Sequence, residues 1–296
     1  MKPFWVFYLT DGEGYLVPRS LVKHWIFVLP IFAVLSIALC IAYLSVSVEA
    51  PRIGVVPFSV EGGISAVLVN VSFVAGVVSL GLPLIYLTLK KGWTSIIEKM
   101  FAIGGGGLTL LLGGILAIHL LELFPSFLLL ISIWLFSFFI CVSIIFAIAG
   151  VFSEEMRNLV FMTYSSVAGS LLGMGIPVFS MLFILAYLCA IDLLSYKLGL
   201  LKRIVTLSED RIFFRLRHSD RELAVGLGDL VFYSMLASYS LVNFGASVAA
   251  LSTFLILVGW VLTFIYTTKS EVFPGLPIPL GLGMVPVVVE IASSMI

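Results

Sequence analysis

The sequence predicts an all-α integral membrane protein with nine spanning helices. Three observations lead there. Of 296 residues, 61% are hydrophobic and 11% charged, where a soluble domain is about a quarter charged. The mean hydropathy is +1.22, and the apolar residues gather into runs of about 20, the length a helix needs to cross a hydrocarbon core of ~30 Å. Almost all Lys and Arg then fall on one side of the resulting arrangement. The formal net charge is zero, so no basic excess exists to neutralise phosphates, and nucleic acid is excluded as a partner.

Taken in order, the spans are 25–48, 64–89, 101–123, 127–152, 158–175, 177–197, 223–243, 246–268 and 275–295. The first is too long for a signal peptide, whose apolar core is about 7–15 residues. The fifth is the weakest, being short and holding Thr163, Ser165, Ser166 and Ser170. Gly175-Ile176-Pro177 is read as a tight turn, because Gly and Pro both punctuate helices, and it divides the chain into 1–176 (spans one to five) and 177–296 (spans six to nine). Gly104 to Gly107, Gly113, Gly114 and the G-x-x-x-G pair Gly169 and Gly173 read as close helix packing, since small residues let backbones approach in lipid.

With the N-terminus cytoplasmic, the cytoplasmic segments collect Lys2, Arg19, Lys23, Lys90, Lys91, Lys99, Arg157 and Lys269. The loop between spans six and seven, 198–222, adds the densest cluster: Lys202, Arg203, Arg211, Arg215, Arg217 and Arg221, next to Lys197. Only Arg52 lies on the other side. The positive-inside bias therefore places the C-terminus outside the cytoplasm.

Cys40, Cys141 and Cys189 lie far apart inside apolar runs and read as packed thiols, neither a disulfide framework nor a metal site. His24, His119 and His218 are equally scattered, and no H-E-x-x-H is present, which argues against a zinc protease. No metal or cofactor is implied.

A carboxylate within a membrane helix is costly and reads as functional by default. Glu122 falls at the end of its span near Pro125, and Glu290 late in the ninth span; both read as interfacial. Asp192 and Asp229 differ, because they sit five residues before Lys197 and eight after Arg221 on consecutive antiparallel spans. At 1.5 Å per residue both lie roughly 7–12 Å inside the cytoplasmic boundary, and they can face each other if their helices pack side by side. Two carboxyl groups about 3–5 Å apart cannot both ionise easily, so the pair shares a proton near neutral pH. It then holds a general base and a general acid together, enough to drive water against a peptide carbonyl. A proton or ion pathway in a carboxylate-driven transporter uses intramembrane acids equally well, and spacing alone does not choose between the two. The transporter predicts an internal repeat, and none is visible between the two halves.

Gly226-Leu227-Gly228-Asp229 followed by Leu230-Val231-Phe232-Tyr233-Ser234 resembles the seventh span of presenilins and signal peptide peptidases. In that family the aspartate of G-x-G-D is one of two catalytic residues. The other follows an aromatic residue in the sixth span; here Ile191 precedes Asp192. A Pro-Ala-Leu motif opens the family's ninth span, and Pro274-Gly275-Leu276-Pro277 stands in its place. The resemblance implies a presenilin-like fold and an intramembrane aspartyl protease of compact, prokaryotic type. Asp192 and Asp229 would be catalytic. Gly226, Leu227, Gly228, Pro274, Gly275, Leu276 and Pro277 would form the substrate-binding surface. Its substrate would be a transmembrane peptide or single-span protein with its N-terminus outside, met within the lipid bilayer, and a homo-oligomer is open.

The glycines before Asp229 leave room for backbone or substrate. The prolines of span nine remove amide donors from its start, freeing carbonyls for a substrate strand. Arg211 to Arg217 partly alternates, as an edge strand does, so this loop is expected to pair with an extended substrate. An amphipathic segment lying on lipid headgroups fits the same residues.

Overall fold

The computed structural model describes residues 25–47, 64–93, 127–200, 213–218, 221–267 and 273–294, with scattered positions between 96 and 114. Eight long helices are described: α1 (Trp25–Ser47), α2 (Ile64–Lys90), α3 (Phe127–Ile148), α4 (Glu154–Gly175), α5 (Val178–Lys197), α6 (Leu227–Phe244), α7 (Ala246–Thr267) and α8 (Pro277–Ser294). Most of the expected third span lies outside the described residues, although 102–107 and 109–110 are helical. Two antiparallel strands, β1 (Phe213–His218) and β2 (Arg221–Gly226), precede α6 in a hairpin that pairs Phe213 with Gly226 and His218 with Arg221.

The fold is thus helical but not purely so. Helix α6 starts at Leu227, not near 223 as expected from the sequence, because Arg221–Gly226 is strand. A short apolar run such as Leu223-Ala224-Val225 carries no period that separates strand from helix. Helix α4, the expected fifth span, starts earlier than the sequence suggests, at Glu154. There the Ser153 side chain accepts from the Met156 N–H, and Glu154 and Glu155 sit in the first turn, where the helix dipole favours acids. The Gly175-Ile176-Pro177 turn is present. Ile176 is extended (φ −97°, ψ 132°), as a residue before proline prefers, and α5 resumes at Val178.

Six of the helices are long and apolar enough to cross a membrane; α4 and α6 are not among them. These two are the interior of the bundle. Ser165, Ser166 and Ser170 of α4 and Ser234, Ser238 and Ser240 of α6 are fully buried. A helix that faces protein on most sides needs little lipid-facing apolar surface.

Helices α4 and α6 share the most extensive interface, and α1 closes over both. Glycine makes the approach possible. A Cβ on Gly169 would stand 2.5 Å from Ser234 Cβ and Val231 O, and one on Gly173 would overlap Met235 O. The packing role read from G-x-x-x-G is therefore to seat α4 against the helix that carries Asp229. Serines complete the seam: Ser166 Oγ donates to Val34 O (3.0 Å), while Ser170 Oγ and Ser238 Oγ both donate to Ala38 O (3.3 Å).

On the other flank α7 and α8 pack closely. A Cβ on Gly259 would reach within 2.5 Å of Pro279 Cα, and Ser252 Oγ donates to Gly283 O at 2.7 Å. Helix α2 rests on α5 through Asn70 Nδ2 donating to Ser180 Oγ (2.9 Å) and a 2.7 Å hydroxyl pair, Ser79 and Tyr187. Gly105 and Gly106 pack on Ile144 and Cys141, whereas Gly104 and Gly107 face open space.

Candidate active site

The site is assembled from three separate parts of the chain. Asp192 lies on the last turns of α5. Asp229 is the third residue of α6, in its first turn, directly after the strand that ends at Gly226. The third part is a non-helical strap, Pro274–Leu276, leading into α8.

The strap touches both acids. The Leu276 N–H donates to Asp192 Oδ2 at 3.1 Å. One residue earlier, a Cβ on Gly275 would overlap Asp229 Oδ2, so the Asp229 carboxyl lies against the bare Cα of Gly275. The two carboxyl groups therefore bracket a single dipeptide. The expected route, direct side-by-side packing of the acid-bearing helices, is not how this is achieved. Helices α5 and α6 make little backbone contact, while α8 packs against both; the acids meet across its leading strap. Both aspartates are half-buried.

Further side chains fix the strap. The Tyr233 hydroxyl, one turn beyond Asp229, donates to Gly275 O at 2.8 Å. Cys189 Sγ, three residues before Asp192, lies 3.8 Å from Leu276 O. At the strap's entrance Phe273 stacks on Tyr266 (ring centroids 5.7 Å apart) and tilts against Tyr196 (5.9 Å). Pro274 and Leu276 are buried, and Pro277 opens α8, where its missing N–H costs nothing.

The glycines of the motif are not equivalent. Gly226 caps α6 with ordinary angles (φ −63°, ψ 134°), so it is not needed for unusual backbone; a Cβ there would press to 3.2 Å of Asp229 Oδ2. Gly228 is exposed, and a Cβ would meet only Phe232 Cε2 at 3.8 Å. Leu227 is half-buried against the core. Gly275, which replaces the Ala of the family pattern, has the tightest requirement, because any methyl there displaces the Asp229 carboxyl. Gly275→Ala is expected to swing that carboxyl out of its place and, on the protease reading proposed below, to lower kcat for a transmembrane peptide about tenfold, a change of about 1.4 kcal/mol in barrier. Unchanged kcat would show that the close approach is dispensable.

Tyr233 and Cys189 are the site residues that sequence reasoning passed over. Their signal was present in the spacing: four after Asp229 and three before Asp192, each on the same helix face as its acid. Of the thiols expected to be packed, Cys141 is buried, Cys189 adjoins the acids and Cys40 is exposed on the bundle's outer surface. Glu290 is exposed at the far end of α8, away from the site; Glu122 lies outside the described residues.

No protein-family model and no curated protein matches the chain. A solved structure described as a presenilin family intramembrane aspartate protease superposes with a TM-score of 0.58, covering 90% of this chain and 97% of that one at 19% identity. The chain has that fold, the fold of a multi-pass membrane protein.

Proposed function

We propose that the chain is an intramembrane aspartyl protease in which Asp192 and Asp229 hydrolyse peptide bonds of transmembrane segments. The observation that carries this reading is the pair of carboxyl groups, delivered by separate helices, bracketing one backbone dipeptide inside a bundle of presenilin-type fold. In the reaction the ionised member removes a proton from water as its oxygen attacks the scissile carbonyl carbon. The protonated member gives its proton to the carbonyl oxygen, forming a neutral diol. The acid that took the water's proton then gives it to the amide nitrogen while the other, now ionised, takes back a proton from the diol; the C–N bond breaks, acid and amine leave, and both carboxyl groups are restored. Only the water is consumed.

Helical substrates hide their carbonyls in hydrogen bonds, so the scissile segment must be drawn out extended. The β1–β2 hairpin runs straight into the Asp229 turn, which supports the idea that it offers an edge to such a segment. Removing residues 205–217, and with them most of β1, is expected to reduce kcat/KM for a transmembrane peptide by ~10²-fold through mispositioning. An unaltered kcat/KM would reject strand pairing.

The charge distribution supports a cytoplasmic N-terminus and hairpin loop. Maleimide labelling of single cysteines placed at 205 and 270 in sealed spheroplasts tests this: protection of both from an impermeant reagent is expected, and labelling of either reverses the assignment.

A further inference from the structure

One carbonyl of the strap takes its donor from another helix. Gly275 lies just outside α8, whose first backbone bond runs from Leu280 N to Leu276 O at 3.0 Å, and Pro279 has no N–H with which to extend the helix back over it. The Tyr233 hydroxyl reaches Gly275 O at 2.8 Å. This carbonyl is thus held by the protein itself and is not free for substrate. The Tyr233 ring is 1% exposed, so its hydroxyl has a fixed origin.

We infer that Tyr233 is a positioning residue for the acid pair, acting through the strap. Its bond clamps Gly275, which sets both contacts that the strap makes with the acids: the Leu276 N–H on Asp192 and the bare Gly275 Cα against Asp229. Without the hydroxyl the strap loosens, Asp192 loses its fixed donor, and the two carboxyl groups no longer hold one spacing. Substrate pairing on the β1–β2 edge, as proposed above, does not involve this bond. The inference rests on the protease reading for its kinetic arm only.

Tyr233→Phe removes the hydroxyl and keeps the ring. In a Cys40→Ser/Cys141→Ser background, Cys189 is the remaining thiol and lies against the strap, so its alkylation by N-ethylmaleimide in detergent reports strap position without any catalysis. Tyr233→Phe is expected to lower kcat about tenfold, the scale of one lost buried hydrogen bond, with KM unchanged, and to speed Cys189 alkylation by about fivefold or more. Tyr239→Phe is the control: it removes a buried hydroxyl that donates to Val178 O (3.1 Å), at the opposite end of α5, and should move neither readout. Wild-type kcat or a wild-type alkylation rate in Tyr233→Phe overturns the inference. So does an equal response in Tyr239→Phe, which would mark general loss of packing. If the unsubstituted protein cleaves nothing, the protease reading fails, while the alkylation rates still decide whether Tyr233 holds the strap.

Discussion

Asp192→Ala and Asp229→Ala are each expected to lower cleavage of a transmembrane peptide by ~10³-fold or more, with the protein still folded. General acid–base groups commonly contribute about 10²–10⁴-fold apiece, and here each needs the other, because one acid without its partner leaves either the water or the carbonyl oxygen unassisted. The double variant should then be barely worse than either single one, the non-additivity expected of residues that act as a unit. Inhibition offers an independent check. An analogue with a hydroxyl at the scissile position imitates the diol and should bind the unsubstituted protein far more tightly than either variant. Cleavage that persists in both single variants would place the chemistry elsewhere and end the assignment. Stability should suffer little, because Asp192 accepts from one backbone donor and Asp229 closes no ion pair among the described contacts.

The second large effect lies a full helix away from the chemistry. Gly169→Val and Gly173→Val are expected to destabilise the bundle and abolish activity together. Their added carbons would meet α6 backbone, Val231 O and Met235 O, in addition to Ser234 Cβ, and a backbone cannot rotate aside as a side-chain tip can. Overpacking of this kind costs about 1–3 kcal/mol and shifts backbones, which translates into a melting temperature lower by roughly 2–5 °C for a chain of this size. Because α6 carries Asp229 in its first turn, the shift also moves the carboxyl proposed as catalytic, and a displacement of ~1 Å can cost ~10²-fold in rate. Gly104→Ala and Gly107→Ala are the matched controls. Both positions face open space, and alanine is the better helix former by about 1 kcal/mol, so these variants should melt at or above the unsubstituted protein. A tolerated Gly173→Val would refute the packing account of α4 on α6.

The spans were legible because lipid imposes a crude rule. A backbone in hydrocarbon must satisfy itself, so helices of about 20 apolar residues are the available solution, and the helix ends observed for α1, α2 and α5 to α8 fall within a few residues of those read from hydrophobicity. The rule blurs where protein replaces lipid. Helix α4, with Ser165, Ser166 and Ser170 buried against α1 and α6, looked like the poorest span and is among the most enclosed. The acids were legible for the opposite reason, since a carboxylate within an apolar run has few neutral explanations.

What the one-dimensional order could not convey was the meeting point. Asp192 and Asp229 stand out in any reading of the chain, and so do the prolines around 274–279, because each is an anomaly in its own neighbourhood. That the strap should lie between the acids, with Leu276 N–H on one and the naked Cα of Gly275 on the other, depends on how α8 sits across α5 and α6. The same holds for Tyr233, whose hydroxyl finds a carbonyl 42 positions away. Local chemistry, burial preference and chain length are written residue by residue; a contact between distant segments is the outcome of every interface in the bundle acting at once, and only the folded arrangement decides it.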